Sequence, residues 1–213
     1  AVHDIIEIAI VPLNPDFKRS DLPEFTARIK AVHPENADPE SLKISGFNPF
    51  EGEDIQKVAT DITRWMSDNH IERIEAVGHN LRFDLDFFQI KFPSLFRIFS
   101  SHFHDSMQLA IVINDISLLQ TGKKLFPSVS LRNLKLQLGM EDPVQHRAMD
   151  DALDAAKLYR RLQTKLIINW QERFPCRIFR KSWTKKFAVW PEGKSGTSLQ
   201  IWKNKNNKIE RFV

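Results

Sequence analysis

Cysteine is nearly absent from the 213 residues of this chain, which contain one such residue, Cys176. A single thiol cannot form a disulfide within the chain, so we expect a reducing, cytoplasmic location. The longest apolar runs, such as IAIV at residues 8–11, fall far short of the ~18 residues that a membrane span requires. No basic stretch followed by an apolar one marks a signal peptide. We therefore predict no association with a membrane.

Charge is distributed unevenly along the chain, although its net value is only +4. Residues 164–213 carry 12 lysines and arginines against 3 acidic residues, a net of +9, while residues 1–163 carry a net of −5. Four of the five tryptophans also lie in the basic part. We predict two units with different roles, a domain over residues 1–168 and a basic, aromatic-rich extension over residues 169–213.

Apolar periodicity predicts strands first and then strands in alternation with helices. Two β-branched runs of strand length open the chain, DIIEIAIVPL at 4–13 and EFTARIKAV at 24–32. After a loop we predict a helix, a strand and four further helices, at residues 53–69, 71–80, 81–92, 104–119, 128–139 and 146–168. This order predicts an α/β fold with a layered mixed sheet. Turn signals at PEGKSG and KNKNN predict β-hairpins in the extension.

Two segments carry polar residues that packing does not explain. In GHNLRFDLDFF, residues 78–88, Asn80 and Asp84 lie four apart and would share one helix face at the carboxyl end of the preceding strand. In HRAMDDALDAAKLYR, residues 146–160, a helix begins with His146 and the acid Asp151. A helix start favours an acidic residue but has no need of a histidine. If both helices pack on one sheet, these side chains converge.

Carboxylates without thiols favour hard cations such as Mg²⁺ or Mn²⁺, which take oxygen ligands and leave room for substrate phosphates. A histidine beside such a site can accept a proton from water near neutral pH, because its unperturbed pKa is about 6.5. Together these residue types predict metal-assisted hydrolysis of a phosphodiester.

Both segments resemble motifs of the DnaQ-like, DEDDh-type 3′–5′ exonucleases. GHNLRFD resembles the second motif, N-x-x-F-D, with Asn80, Phe83 and Asp84 at its defined positions, and HRAMDDA resembles the third, H-x-A-x-x-D. DIIEIAIV is similar to the family's second strand, and HDSMQLA to its D-T-x-x-L-A helix start. The similarity covers about residues 4–163 and implies a ribonuclease H-like mixed sheet flanked by helices.

The resemblance implies a metal-dependent enzyme that removes nucleoside 5′-monophosphates from single-stranded DNA or RNA 3′ ends. Asp84 and Asp151 would hold two divalent cations, Mg²⁺ or Mn²⁺. His146 would be the general base, Asn80 would contact the terminal nucleotide, and Phe83 would pack beside it. A DNA polymerase is a further partner that this resemblance would suggest.

The family's first motif, D-x-E, has no counterpart at the expected place. Its two acids lie on one face of a strand that precedes the segment similar to DIIEIAI. Asp4 and Glu7 lack that spacing, and the D-x-E at residues 38–40 falls in a predicted loop. Because the chain also starts at Ala1 rather than with methionine, we expect an N-terminally truncated sequence. With two of four metal carboxylates missing, we expect this chain to hydrolyse poorly alone.

Other interpretations of the same residues stay open. Asp84 and Asp151 could be ordinary helix-start acids, and His79 could simply bind the backbone. The chain could be a non-catalytic nucleic-acid-binding or polymerase-associated module that retains the fold. A phosphatase acting on small nucleotides would account for the acidic residues but less well for Asn80 and Phe83. The aromatic residues of the extension could pack on the body while its lysines are merely solvated.

The extension interleaves cations and rings in RIFRKSWTKKFAVW, residues 177–190. Phosphates attract the cations and bases stack on the rings, each stacked base contributing ~1–3 kcal/mol. We expect Lys185→Glu with Lys186→Glu to weaken binding of a single-stranded oligonucleotide and to flatten its salt dependence, both measured by fluorescence anisotropy. Unchanged affinity and salt dependence would exclude a nucleic-acid role for the extension.

Overall fold

The computed structural model describes residues 4–37, 39–40, 42, 46–140, 147–173 and 210–212. Strands and helices alternate along these ranges. The strands are β1 (Glu7–Ile10), β2 (Pro12–Leu13), β3 (Phe25–Arg28), β4 (Ile74–Gly78), β5 (His104–Asp105) and β6 (Glu210–Phe212). The helices are α1 (Ile55–Asp68), α2 (Leu81–Lys91), α3 (Ser106–Thr121), α4 (Leu131–Gln137) and α5 (Ala148–Arg173).

The sheet is mixed, and its strands run in the order β2-β6-β4-β5. β4 pairs in parallel with both β5 and β6, while β6 is antiparallel to β2. β1 forms an antiparallel ladder with β3, in which Glu7 lies opposite Arg28 and Ile10 lies opposite Phe25. The parallel strands β4 and β5 end together, with Gly78 opposite Asp105. This carboxyl edge brings the polar segments of the sequence together.

The first predicted strand, residues 4–13, is divided in the structure. β1 ends at Ile10 and β2 begins at Pro12, with the fully buried Val11 between them. The division follows from a change of partner, because β1 pairs with β3 whereas β2 pairs with β6. The second predicted strand is also shorter than expected. It ends at Arg28, and Ile29 continues it only as a bridge to Glu53.

Helices cover both faces of β4, as the alternation of its side chains requires. Ile74 and Ala76 face the layer of α1 and α2, where they join a core that includes Val58, Ile62, Leu85 and Phe88. Val77 points the other way and packs with Val11 and with Ala156 of α5. The sheet therefore lies between two helical layers, and α5 forms the layer that carries Asp151.

A third cluster joins α3, α4 and α5 through buried residues such as Ile113, Leu134 and Leu158. A buried ion pair lies beside it, since Lys135 of α4 binds Asp154 of α5 with its Nζ 2.5 Å from Oδ2. Both residues are buried, and the exposed Lys157 lies 3.5 Å from the other carboxylate oxygen. This pair fixes the short helix α4 on the long helix α5.

The predicted α/β class is confirmed, and each predicted helix from residue 53 onward corresponds to an observed one. The hairpins predicted for the extension lie outside the described residues. Its strand β6, at residues 210–212, pairs within the main sheet. None of the helices in the described ranges combines the length and the apolar character that crossing a bilayer requires.

The buried ion pair predicts an asymmetric response to substitution. Lys135→Met leaves the Asp154 carboxylate buried beside one exposed lysine, so we expect a loss of about 3 kcal/mol in unfolding free energy. The double change Lys135→Met with Asp154→Leu should recover most of that loss, because no buried charge remains. Urea unfolding measures both, and Arg64→Gln, at an exposed pair on α1, is the surface control. Equal losses in the single and double variants would contradict this account.

Candidate functional site

One buried carboxylate, that of Asp105, organises the carboxyl edge of the sheet. Its Oδ1 accepts hydrogen bonds from the backbone N–H of Met107 (2.8 Å) and Gln108 (3.4 Å) and thereby caps α3. The same carboxylate accepts from the N–H of Asn80 (3.0 Å) and Leu81 (2.9 Å), where α2 begins. One side chain therefore caps the N-termini of both α2 and α3. Asp105 thus joins the starts of both helices.

The turn from β4 into α2 is tight, and its residues fit its geometry. A Cβ on Gly78 would lie 2.8 Å from Leu81 Cδ1, so any other residue at this position would require the Leu81 side chain to move. Asn80 has a φ of 57°, in the left-handed region that asparagine tolerates better than most residues. It is the N-cap of α2 rather than part of the helix, in contrast to the predicted helical face shared with Asp84. Its exposed side chain makes no capping bond.

His79 is held by the start of α3. Its Nδ1 lies 2.9 Å from Ser106 Oγ, and that hydroxyl donates to the Gly78 carbonyl oxygen at 3.1 Å. Burial lowers the pKa of His79, against opposing effects of Asp105 and the Val129 backbone, which favours the neutral ring. His79 therefore contacts both the Ser106 side chain and the Val129 backbone, and the second contact is the one that the backbone-binding interpretation expected.

A cavity of about 890 Å³ opens at this edge of the sheet. Most of its wall is apolar, from β1, β4, α2 and α5. Its acidic lining residues are Asp4, Glu7, Asp84 and Asp151. Concave apolar sites with a few convergent polar groups are typical ligand-binding sites. The structure thus brings Asp84 of α2 and Asp151 of α5 to one cavity, as the sequence interpretation required.

Asp84 has a perturbed carboxyl group. Partial removal of water by the surrounding protein raises its pKa from 3.8 to about 6, and the charges of Asp105 and Asp151 add to the increase. The helix N-terminus opposes the shift through a bond from the Asp84 backbone N–H. The side chain is nevertheless exposed at the cavity mouth. Two like charges close enough to perturb each other create a site that favours a cation.

Glu7 is a cavity residue to which the sequence interpretation gave no role. It lies on β1, and its Oε2 accepts a 2.9 Å hydrogen bond from the backbone N–H of Ala148, the first residue of α5. The strand thereby caps the helix that carries Asp151. A polar residue within an otherwise apolar strand was the available signal, but the partner lies 141 residues away. No spacing within the sequence could identify it.

The acidic residues of the cavity fit a hard divalent cation. Asp84 and Asp151 offer carboxylate oxygens, and Mg²⁺ in proteins is commonly held by one or two carboxylates together with substrate phosphates and water. Within the described residues, no group of three or more histidine, cysteine or acidic side chains is clustered closely enough to form a complete metal cage.

The remaining predicted site residues differ in what the structure says of them. Phe83 lines the cavity, is 58% exposed, and packs on Phe87 with ring centroids 4.8 Å apart. Asn80 lies at the turn beside the cavity and is exposed. His146 lies outside the described residues. The roles assigned to these residues, to Asp84 and to Asp151 stay predictions.

Comparison with known proteins gives one finding. The family model RNase_T, described as exonuclease, matches residues 1–159. The matched range contains every acidic residue of the cavity and ends within α5. A comparison with curated proteins finds no match.

The raised pKa of Asp84 predicts a pH-dependent effect of Asp84→Asn in EDTA. A carboxyl with a pKa of about 6 when folded and 3.8 when unfolded binds more protons in the folded state between these values. Its charge therefore reduces stability as the pH rises from about 4 to about 6. We expect Asp84→Asn to stabilise the protein at pH 7.5 and to have a much smaller effect at pH 4.5.

The gain should be about 1 kcal/mol, well below what the pKa difference alone would give, because solvent screens an exposed carboxylate. Urea unfolding at the two pH values measures it. Asp86→Asn is the matched control, since Asp86 lies on the same helix but pairs with Arg82 at 2.8 Å. A gain that is equal at both pH values would be inconsistent with this explanation.

Proposed function

We infer the function from one established fact, which is that the chain belongs to the RNase_T exonuclease family of the DnaQ-like, ribonuclease H-like superfamily. The resemblance found in the motifs is therefore confirmed. We propose that the protein is a metal-dependent 3′–5′ exonuclease that removes nucleoside 5′-monophosphates from the 3′ ends of single-stranded DNA or RNA.

The observation that carries this proposal is the meeting of Asp84 and Asp151 at one cavity. The two acids come from different helices and different parts of the sequence, and the charge of Asp151 contributes to the raised pKa of Asp84. Helix capping explains an acid at either helix start but gives no reason for both to face one cavity. A shared cation does, and phosphodiester hydrolysis is the chemistry that such cations support.

In the proposed reaction a water oxygen attacks the terminal phosphorus in line, and the bond from that phosphorus to the 3′ oxygen of the preceding nucleotide breaks. His146 accepts the proton of the attacking water. The departing 3′ oxygen takes a proton from solvent, and the product is a nucleoside 5′-monophosphate. Asp84 and Asp151 would hold divalent cations, Mg²⁺ or Mn²⁺, which supply stabilisation of the negative charge developing on the phosphoryl oxygens.

The terminal nucleotide would occupy the cavity. Phe83 offers an exposed ring supported by Phe87, which is suited to packing against a base or sugar. The side chain of Asn80 projects from the turn before α2 without a capping role. It is available to bind the nucleotide, while Asp105 holds its backbone. The apolar wall would exclude water from the other face of the base.

The proposal predicts that Asp84→Ala and Asp151→Ala each reduce Mg²⁺-dependent release of mononucleotides from a single-stranded oligonucleotide by at least about 100-fold. Each should also weaken Mn²⁺ binding, measured by electron paramagnetic resonance, because each removes a carboxylate ligand. Circular dichroism should be unchanged. The Mn²⁺ measurement remains decisive if the chain alone hydrolyses slowly.

Asp86→Ala and Asp150→Ala are the matched controls, since both lie on the same helices as the proposed ligands and neither lines the cavity. If Asp84→Ala and Asp151→Ala kept the wild-type rate of hydrolysis and the wild-type affinity for Mn²⁺, the proposed exonuclease function would be refuted. Retained oligonucleotide binding without hydrolysis or Mn²⁺ binding in the wild type would instead favour the non-catalytic nucleic-acid-binding module.

A further inference from the structure

Two arginines share one aromatic ring at the side of the cavity. The guanidinium carbon of Arg28 lies 4.8 Å from the centroid of the Phe47 ring, and that of Arg147 lies 5.4 Å from the same centroid. Both distances are within the range of cation–π attraction. Both guanidiniums are attracted to the same ring, so the two positive charges lie near each other in spite of their repulsion.

Strand register and helix position place this group beside the acidic residues. Arg28 lies directly opposite Glu7 in the ladder of β1 and β3, so their side chains share one face of the sheet. On that face Glu7 binds the N–H of Ala148, the residue after Arg147. Phe47, Glu7 and Ala148 all line the cavity that holds the two proposed cation ligands. The arginines are therefore neighbours of the site, while neither forms its wall.

The charges of the two arginines are not neutralised by acids in the described part of the chain. Neither guanidinium lies within ion-pair distance of a carboxylate there. Lys91, by contrast, already has an acidic partner, since it binds the cavity acid Asp4. An arginine that packs on a ring still has guanidinium N–H groups to donate. Such an arginine is suited to bind phosphate, because the planar guanidinium fork matches the phosphate oxygens.

We propose that Arg28, Phe47 and Arg147 form an arginine clamp that binds the internucleotide phosphate next to the one that is cleaved. This inference rests on the proposed function, since it takes the terminal nucleotide to occupy the cavity. The cleaved phosphate then lies with Asp84 and Asp151, and the strand leaves the cavity past the clamp. The ring limits the motion of both guanidiniums before the strand binds, which reduces the entropy lost on binding.

The clamp is tested by pairing protein variants with a substrate that lacks one charge. The probes are a pentathymidylate and the same oligomer with a neutral methylphosphonate at the second linkage from the 3′ end, both bound in Ca²⁺ and followed by anisotropy. The proteins are the wild type, Arg28→Gln, Arg147→Gln and the double variant. Arg64→Gln is the matched control, because that exposed arginine pairs with Asp61 on α1.

We expect the double variant to bind the pentathymidylate about 10-fold more weakly, with each single variant intermediate. The slope of log affinity against log salt should fall by about 0.7, the value for one phosphate contact on a single strand. The neutral linkage should weaken binding to the wild type by the same factor. It should not weaken binding to the double variant any further. A pentauridylate should respond in the same way, because the clamp contacts phosphate rather than the 2′ position.

Hydrolysis of thymidine 5′-(p-nitrophenyl) phosphate separates the clamp from the proposed function. This substrate has one phosphate only, so the arginine variants should cleave it at the wild-type rate. If no protein cleaves it and the wild type also binds no Mn²⁺, the proposed function fails while the binding cycle still decides on the clamp. If the arginine changes and the neutral linkage each reduce the affinity and their effects add in the double variant, the clamp is overturned. A wild type that binds neither oligomer would also overturn it. The neutral linkage on the wild type remains a test if a variant does not fold.

Discussion

The structure of the site depends on one carboxylate that caps the N-termini of two helices. Asp105 is the last residue of the two-residue strand β5, and its oxygens accept hydrogen bonds from the first N–H groups of α2 as well as α3. The starts of α2 and α3 are therefore held by the same buried group. Asp84 lies one turn into α2, so its position depends on how Asp105 holds the start of that helix. Asp105 itself is not part of the cavity wall. Such a shared cap couples the stability of two helices to the geometry of the site.

The cavity combines an apolar wall with acids of the same sign, an arrangement that opposes folding in the absence of a ligand. Partial desolvation and the proximity of Asp105 and Asp151 raise the pKa of Asp84. The protein compensates for this charge at several points: Lys91 binds Asp4, and the N–H of Ala148 binds Glu7. The other two acids of the cavity, Asp84 and Asp151, are the ones assigned to cations. Their arrangement stores repulsion that a bound cation would relieve.

Local patterns predicted the helices because helical periodicity depends on neighbours within one or two turns. The motifs also predicted that Asp84 and Asp151 would meet, on the condition that both helices pack on one sheet. The packing of α2 and α5 on β4 meets this condition. The division of the first strand at Val11, the cap that Glu7 provides and the left-handed Asn80 were not predicted. The first two depend on partners distant in sequence. The third depends on where a turn ends and a helix begins, which periodicity does not define to the residue.

The position of β6 has a consequence for how the chain reaches this structure. Residues 210–212 lie between β2 and β4, with β2 near the start of the chain and β4 in its middle. During synthesis on the ribosome, β2 and β4 emerge long before the strand that separates them. Such non-local pairing slows folding, and an early product would expose two strand edges that invite association with other chains. Chaperone engagement of nascent chains is the expected cellular counterpart of this topology.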